Sequence, residues 1–186
     1  MFWYDKPEAQ ARNNRAVNIS KLRTLMADVG HCNIIKSDNH WKIVFDKEVF
    51  VDYYECLPQS IRPDSLTPDR VTVISAMTAR GSLLSDLNYL WLDAYKSQCS
   101  NGLIDSLLKY ASLLDDHSAF ETRLSVADII FRFDTVNESA LRLKCLTYMA
   151  LHKRYMAKMT YEHFCREYKA LYGEDFQLSF NSILEH

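Results

Sequence analysis

The sequence predicts a mainly α protein: an N-terminal helix and a small antiparallel β hairpin or meander, followed by a multi-helix bundle. Three observations carry that expectation. Beyond residue 68, apolar side chains recur at intervals of three and four with little interruption. β-branched and aromatic residues cluster as strands in one window only, residues 32–54. Gly 4 and Pro 4 in 186 residues are too few for a barrel or for long linkers, while a 48% apolar fraction is ample for a core.

Taken in order, residues 7–29 form the first helix. Pro7 suits its first turn, Glu8 lies near the positive end of its dipole, and Gly30 ends it. The Arg12-Asn13-Asn14-Arg15 stretch is weak, so a break is possible before Asn18. Ile19, Leu22, Met26 and Val29 then share a face. Residues 32–36 form a first short strand closed by a Ser37-Asp38-Asn39 turn. The main hairpin is expected between residues 40–45 and 49–54. An Asp46-Lys47-Glu48 loop pairs Trp41 with Tyr53, Ile43 with Val51 and Phe45 with Val49, on a face that packs against the first helix. The segment 57–68, with Pro58, Pro63 and Pro68, is the candidate boundary between a 1–57 subdomain and a 68–186 bundle.

In the bundle, Thr67 caps a helix whose first turn holds Pro68. Leu83, Leu84, Leu87, Leu90, Trp91, Ala94 and Tyr95 form an amphipathic stripe that Asn101-Gly102 closes. Leu103, Ile104, Leu107, Leu108, Ala111 and Leu114 form the next, and the short link makes the two helices antiparallel neighbours. Asp115, Asp116 and His117 make a turn. Ser118 with Glu121 and Ser125 with Asp128 have capping-box spacing, which leaves residues 119–133 as one kinked helix or two short ones.

The most ordered stretch is 135–173. Thr135, with Glu138 in capping-box spacing, opens a helix with Leu141, Cys145, Tyr148, Met149, His152 and Met156 on one face. A junction at Met159 and Thr160 leads to a second helix, capped by Thr160 and ended by Gly173. Its apolar face is Tyr161, Phe164, Cys165, Tyr168, Leu171 and Tyr172. The tail keeps Phe176, Leu178, Phe180, Ile183 and Leu184, which dock it on the body.

The net charge of −2 forecasts no bulk attraction to nucleic acid. Locally, residues 141–158 carry five basic side chains and no acidic one. Five scattered cysteines, an odd number, fit a reducing compartment such as the cytoplasm. The start of the chain lacks the pattern of a secretory signal, and no apolar run is long enough to span a membrane.

No nucleotide, cofactor or metal motif is present, and no His or Cys pair has zinc-site spacing; neither a cofactor nor a metal is expected. Cys145 and Cys165 lie on apolar stripes, where a thiol behaves as a small hydrophobe. The adjacent acids Asp115-Asp116 and Glu174-Asp175 fit solvated turns better than a catalytic pair. The leading expectation is therefore a non-enzymatic binding or regulatory subunit acting through protein–protein contacts or self-association. Phe2, Trp3 and Tyr4 are its candidate interface residues, because aromatic side chains anchor interfaces. The alternative is a helix-turn-helix DNA-binding regulator using residues 141–172, in which Lys153, Arg154 and Lys158 hold phosphates and His163, Arg166 and Lys169 face the groove. Glu162 and Glu167 on the same edge oppose it, as does the lack of a glycine in the turn. An enzyme with an unmarked active site ranks third.

Overall fold

A computed structural model describes residues 5–38, 40–57, 61–115 and 118–185, with the backbone alone for Val29. The chain divides into two compact units, Met1–Phe50 and Val51–His186.

In the first unit, α1 (Glu8–Val29) runs without a break through the Arg12–Arg15 stretch and Asn18. Those weak helix formers face solvent, where their small propensity deficit does not outweigh the gain of continuing an existing helix. Pro7 stands just before the first turn as the N-cap, and Gly30 ends the helix at φ 71°, ψ 166°, a conformation almost reserved for glycine. Strands β1 (Cys32–Ser37) and β2 (His40–Phe45) pair antiparallel, with Ile34 opposite Ile43 and Cys32 opposite Phe45.

This pairing replaces the hairpin expected between 40–45 and 49–54. Asp38 takes φ 47°, the left-handed geometry that two-residue hairpin turns require. Its expected turn neighbour Asn39 lies outside the described residues. The glycine-free Asp46-Lys47-Glu48 loop offers no such turn, and residues 49–51 are not strand. Asp52 instead begins a short helix, its carboxylate accepting the Tyr53 N–H at 2.8 Å. The face expected to pack on the first helix does not: Trp41, Ile43 and Phe45 stay exposed, and α1 lies against β1 instead. Cys32 and Ile34 are buried, Arg23 donates to the Ile34 carbonyl at 2.8 and 3.1 Å, and its guanidinium lies 5.3 Å from the Trp41 ring centre.

The second unit holds α2 (Asp52–Glu55), a 3-10 turn (Pro63–Ser65), and six further helices: α3 (Pro68–Thr78), α4 (Leu90–Leu113), α5 (Phe120–Phe133), α6 (Glu138–Ala150), α7 (Arg154–Tyr172) and α8 (Phe180–Glu185). Thr67 caps α3 as expected, its Oγ1 accepting the Arg70 N–H at 3.2 Å. Helix α5 touches α3, α4 and α6; α6 in turn carries α7 and α8.

One core joins α3, α4 and α5 through Val71, Ile74, Leu103, Leu107, Val126 and Ile130. A second lies between α6, α7 and α8, around Leu141, Cys145, Ala157, Phe164 and Ile183. The expected docking of the tail is observed: Phe176, Phe180 and Leu184 pack into this second core. Two arginines of α5 tie its neighbours together. Arg132 donates to the Ser75 carbonyl at 2.7 Å and to Thr78 Oγ1 at 2.9 Å, and buried Arg123 donates to Thr147 Oγ1 at 3.3 Å.

Several helix boundaries differ from expectation. Asn101-Gly102 does not close a helix; α4 runs through it. Buried Cys99, Leu103, Ser106 and Tyr110 keep one phase across the glycine, and packing outweighs its cost of about 1 kcal/mol. Residues 119–133 form one helix, and Ser118 donates to Asp115 at 2.7 Å without capping it.

Asn137, and not Thr135, caps α6, accepting the Ala140 N–H at 3.0 Å. The junction between α6 and α7 is at residues 151–153, not at Met159 and Thr160. There His152 takes φ 57°, and the Lys153 N–H reaches back to the Tyr148 carbonyl at 2.8 Å, a left-handed helix stop made without glycine. Thr160 lies inside α7, its hydroxyl donating to the Met156 carbonyl at 2.9 Å. Gly173 closes α7 as expected, at φ 74°.

Candidate interaction surface

The six basic positions singled out in the sequence, Lys153, Arg154, Lys158, His163, Arg166 and Lys169, are all exposed, and all belong to α7 or its N-cap. Three of them have acidic neighbours. Lys158 pairs with Glu162 at 3.7 Å, Lys169 with Asp175 at 2.9 Å, and His163 approaches Glu167 at 4.0 Å. Arg154 lies 5.8 Å from the Phe180 ring centre, against α8. The face is thus of mixed sign. Phe2, Trp3 and Tyr4 fall outside the described residues. Of the other aromatic residues near element ends, Tyr161 completes the second core, its hydroxyl donating to the Leu178 carbonyl at 2.7 Å, whereas Tyr54 and Tyr172 are exposed.

A second surface is apolar, and most of its residues belong to the amphipathic stripe that the sequence predicts over residues 83–95. Leu84, Leu87, Tyr89, Leu90, Trp91 and Tyr95 are all exposed, Leu90 to 91%. The reason lies in the helix start. Residues 83–89 are irregular, so the run of apolar residues is not carried on one helix. From Leu90 onward α4 turns Leu92 and Cys99 inward; Leu90 lies opposite them, while Trp91 and Tyr95, at i, i+4 spacing with Cys99, stay exposed at the edge of the buried side. The rings form a continuous platform: Tyr89 stacks on Trp91 at 6.3 Å, and Trp91 meets Tyr95 edge-on at 6.4 Å. Lys96 Nζ donates to the Leu87 carbonyl at 2.7 Å and pins the irregular segment to the helix.

Two concavities accompany these surfaces. One, of about 310 Å³, is walled by α5, α6 and α7, with Phe131 and Phe164 as apolar walls. Its ionisable residues stand in pairs, Lys144 with Asp128 and His163 beside Glu167.

The other, of about 270 Å³, is lined by Asp52, Tyr53, Cys56, Met77, Arg80 and Cys99, among others. Cys56 and Cys99 pack together there with Met77, both thiols buried. Hydrogen bonding between the two thiols, with burial adding to the effect, raises the Cys56 thiol well above the ordinary range; the same interaction lowers Cys99. All five cysteines are free. Cys145 is enclosed, its thiol pushed up to about 12 by burial. Among the described residues, no three His, Cys, Asp or Glu side chains converge as a metal site, and no helix is long and apolar enough to cross a membrane.

No family model matches the chain, and neither a curated protein nor a solved structure matches it.

Proposed function

We propose that this chain is a non-enzymatic binding subunit that recognises a protein partner through the apolar surface of residues 84–95. The observation that carries the reading is the exposure of Leu84, Leu87, Tyr89, Leu90 and Tyr95 within twelve residues, with the Tyr89, Trp91 and Tyr95 rings in mutual contact. Contiguous exposed apolar groups are uncommon on a protein that works alone, and tyrosine is an anchor residue of protein interfaces. The near-neutral charge and the mixed-sign face of α7 favour a protein over a nucleic acid.

The test is recovery of the tagged protein from its host, in parallel with L90D and Y95A. The expected result is a stoichiometric companion retained by the unaltered chain and lost from both variants. Circular dichroism should show unchanged helicity, because Leu90 supports nothing inside the fold. Equal capture by all three proteins refutes the reading. Self-association replaces a foreign partner if light scattering shows a dimer that L90D splits. The DNA alternative through Lys153, Arg154 and Lys158 requires duplex binding with a steep salt dependence that charge reversal at these residues abolishes.

A further inference from the structure

Five cysteines are spread over this chain, and only Cys56 and Cys99 pack in one buried cluster. The others have different surroundings. Cys32 belongs to the first unit and donates to the Met26 carbonyl at 3.5 Å. Cys145 donates to the Ala157 carbonyl at 3.5 Å inside a closed core. Cys165 contacts the Tyr161 hydroxyl. The pair also lines a cavity of about 270 Å³, which provides room for a small reactant beside the two sulfurs. Each residue is buried, at 8% exposure for Cys56 and 4% for Cys99, so the reactant must be small. Two thiols without a third converging ligand are ill suited to zinc, but their contact is what disulfide closure requires.

We propose that Cys56 and Cys99 form a redox-modification site that a hydroperoxide closes to an intramolecular disulfide linking α2 to α4. Cys99 is the attacking sulfur, since the Cys56 S–H stabilises its thiolate. The thiolate attacks one peroxide oxygen, the O–O bond breaks, and Cys99 becomes a sulfenic acid while hydroxide leaves and takes a proton. Cys56 sulfur then attacks the Cys99 sulfur. The S–O bond breaks, the oxygen departs as water with the Cys56 proton, and the S–S bond forms. In sum, two thiols lose two electrons and two protons, and one hydrogen peroxide becomes two waters. The site is independent of the surface proposed above for a partner.

The experiment treats the reduced full-length protein with hydrogen peroxide in native buffer, then alkylates it in denaturant for intact-mass and non-reducing peptide analysis. The expected product has lost the mass of two hydrogen atoms, keeps three alkylatable thiols of five, and yields a dithiothreitol-reversible peptide joining Cys56 to Cys99. In C56S, Cys99 should stop at the sulfenic acid and be trapped by dimedone. Five alkylated thiols after peroxide, or a disulfide between any other pair, overturns the proposal. So does dimedone labelling of Cys99 that is no greater in C56S than in the unaltered chain. If C56S does not fold, the linkage map of the unaltered protein decides by itself.

Discussion

Helices α6 and α7 both end in a left-handed residue, yet one end carries a histidine and the other a glycine. His152 stands at φ 57° and Gly173 at φ 74°. A side chain in this region costs roughly 1–2 kcal/mol, because its Cβ crowds the following carbonyl. Replacing it by glycine removes that strain but adds roughly 0.5–1 kcal/mol of backbone entropy to the unfolded chain. H152G should therefore stabilise the protein by about 0.5–1 kcal/mol. The imidazole is exposed, so little packing is lost, and the Lys153 N–H to Tyr148 bond is a backbone bond that remains.

G173A should do the reverse and cost about 0.5–1 kcal/mol. A Cβ there meets nothing within 4 Å, so the loss is conformational and not steric. The two sites flank the 19-residue α7, itself about 28 Å long at 1.5 Å per residue, so the double variant should be additive, close to neutral. The assay is urea denaturation followed by helical circular dichroism. With a slope of about 2 kcal/mol per molar, the midpoint moves by about 0.25–0.5 M, upward for H152G and downward for G173A. If H152G lowers the midpoint, the α6–α7 junction is not the left-handed stop described above, and the junction is wrongly placed.

Three further outcomes follow from the same structure. F164A should cost roughly 3–5 kcal/mol, since its ring is buried and lies 4.9 Å from Phe176 and 6.1 Å from Tyr168; a urea midpoint within error of the unaltered protein would rule out the second core as drawn. N137A should cost about 1 kcal/mol and T135A less than about 0.5, a contrast readable in the same melts and reversed if Thr135 is the cap. Stability should be fully present below pH 9.0, where a free thiol is protonated, and fall as pH rises towards 12, because buried Cys145 holds its proton to about 12 while the unfolded chain releases it. Tyr161, also pushed up to about 12 by burial, adds to the loss above its ordinary value of 10.0. C145A should flatten the decline between pH 9 and 10, and a parallel curve for the variant would exclude this cause.

The elements and the surface were unequally legible in the chain. Thr67-Pro68 and Gly173 announced helix ends because cap chemistry is local: a hydroxyl, a ring-fixed φ or a missing Cβ acts on its own turn. The α6–α7 junction was not legible, since histidine seldom takes the left-handed conformation and nothing nearby marked it. Gly102 misled for the opposite reason, as a true helix breaker was overruled by side chains packed on both sides of it. The apolar residues of 84–95 were legible as an amphipathic stripe but their exposure was not, because periodicity finds a stripe without saying what covers it.

By itself, then, the order of residues determined the mainly α class, the single β window after the first helix, and the docking of the tail. Each follows from short-range periodicity and from apolar surface that must leave water. Tertiary structure decided which strands pair, where helices merge or stop, and which thiols meet. Those outcomes depend on contacts between residues far apart in the chain, such as Cys56 with Cys99 and Arg132 with Ser75. Their energies are comparable to the local propensities they override, and no local window contains them.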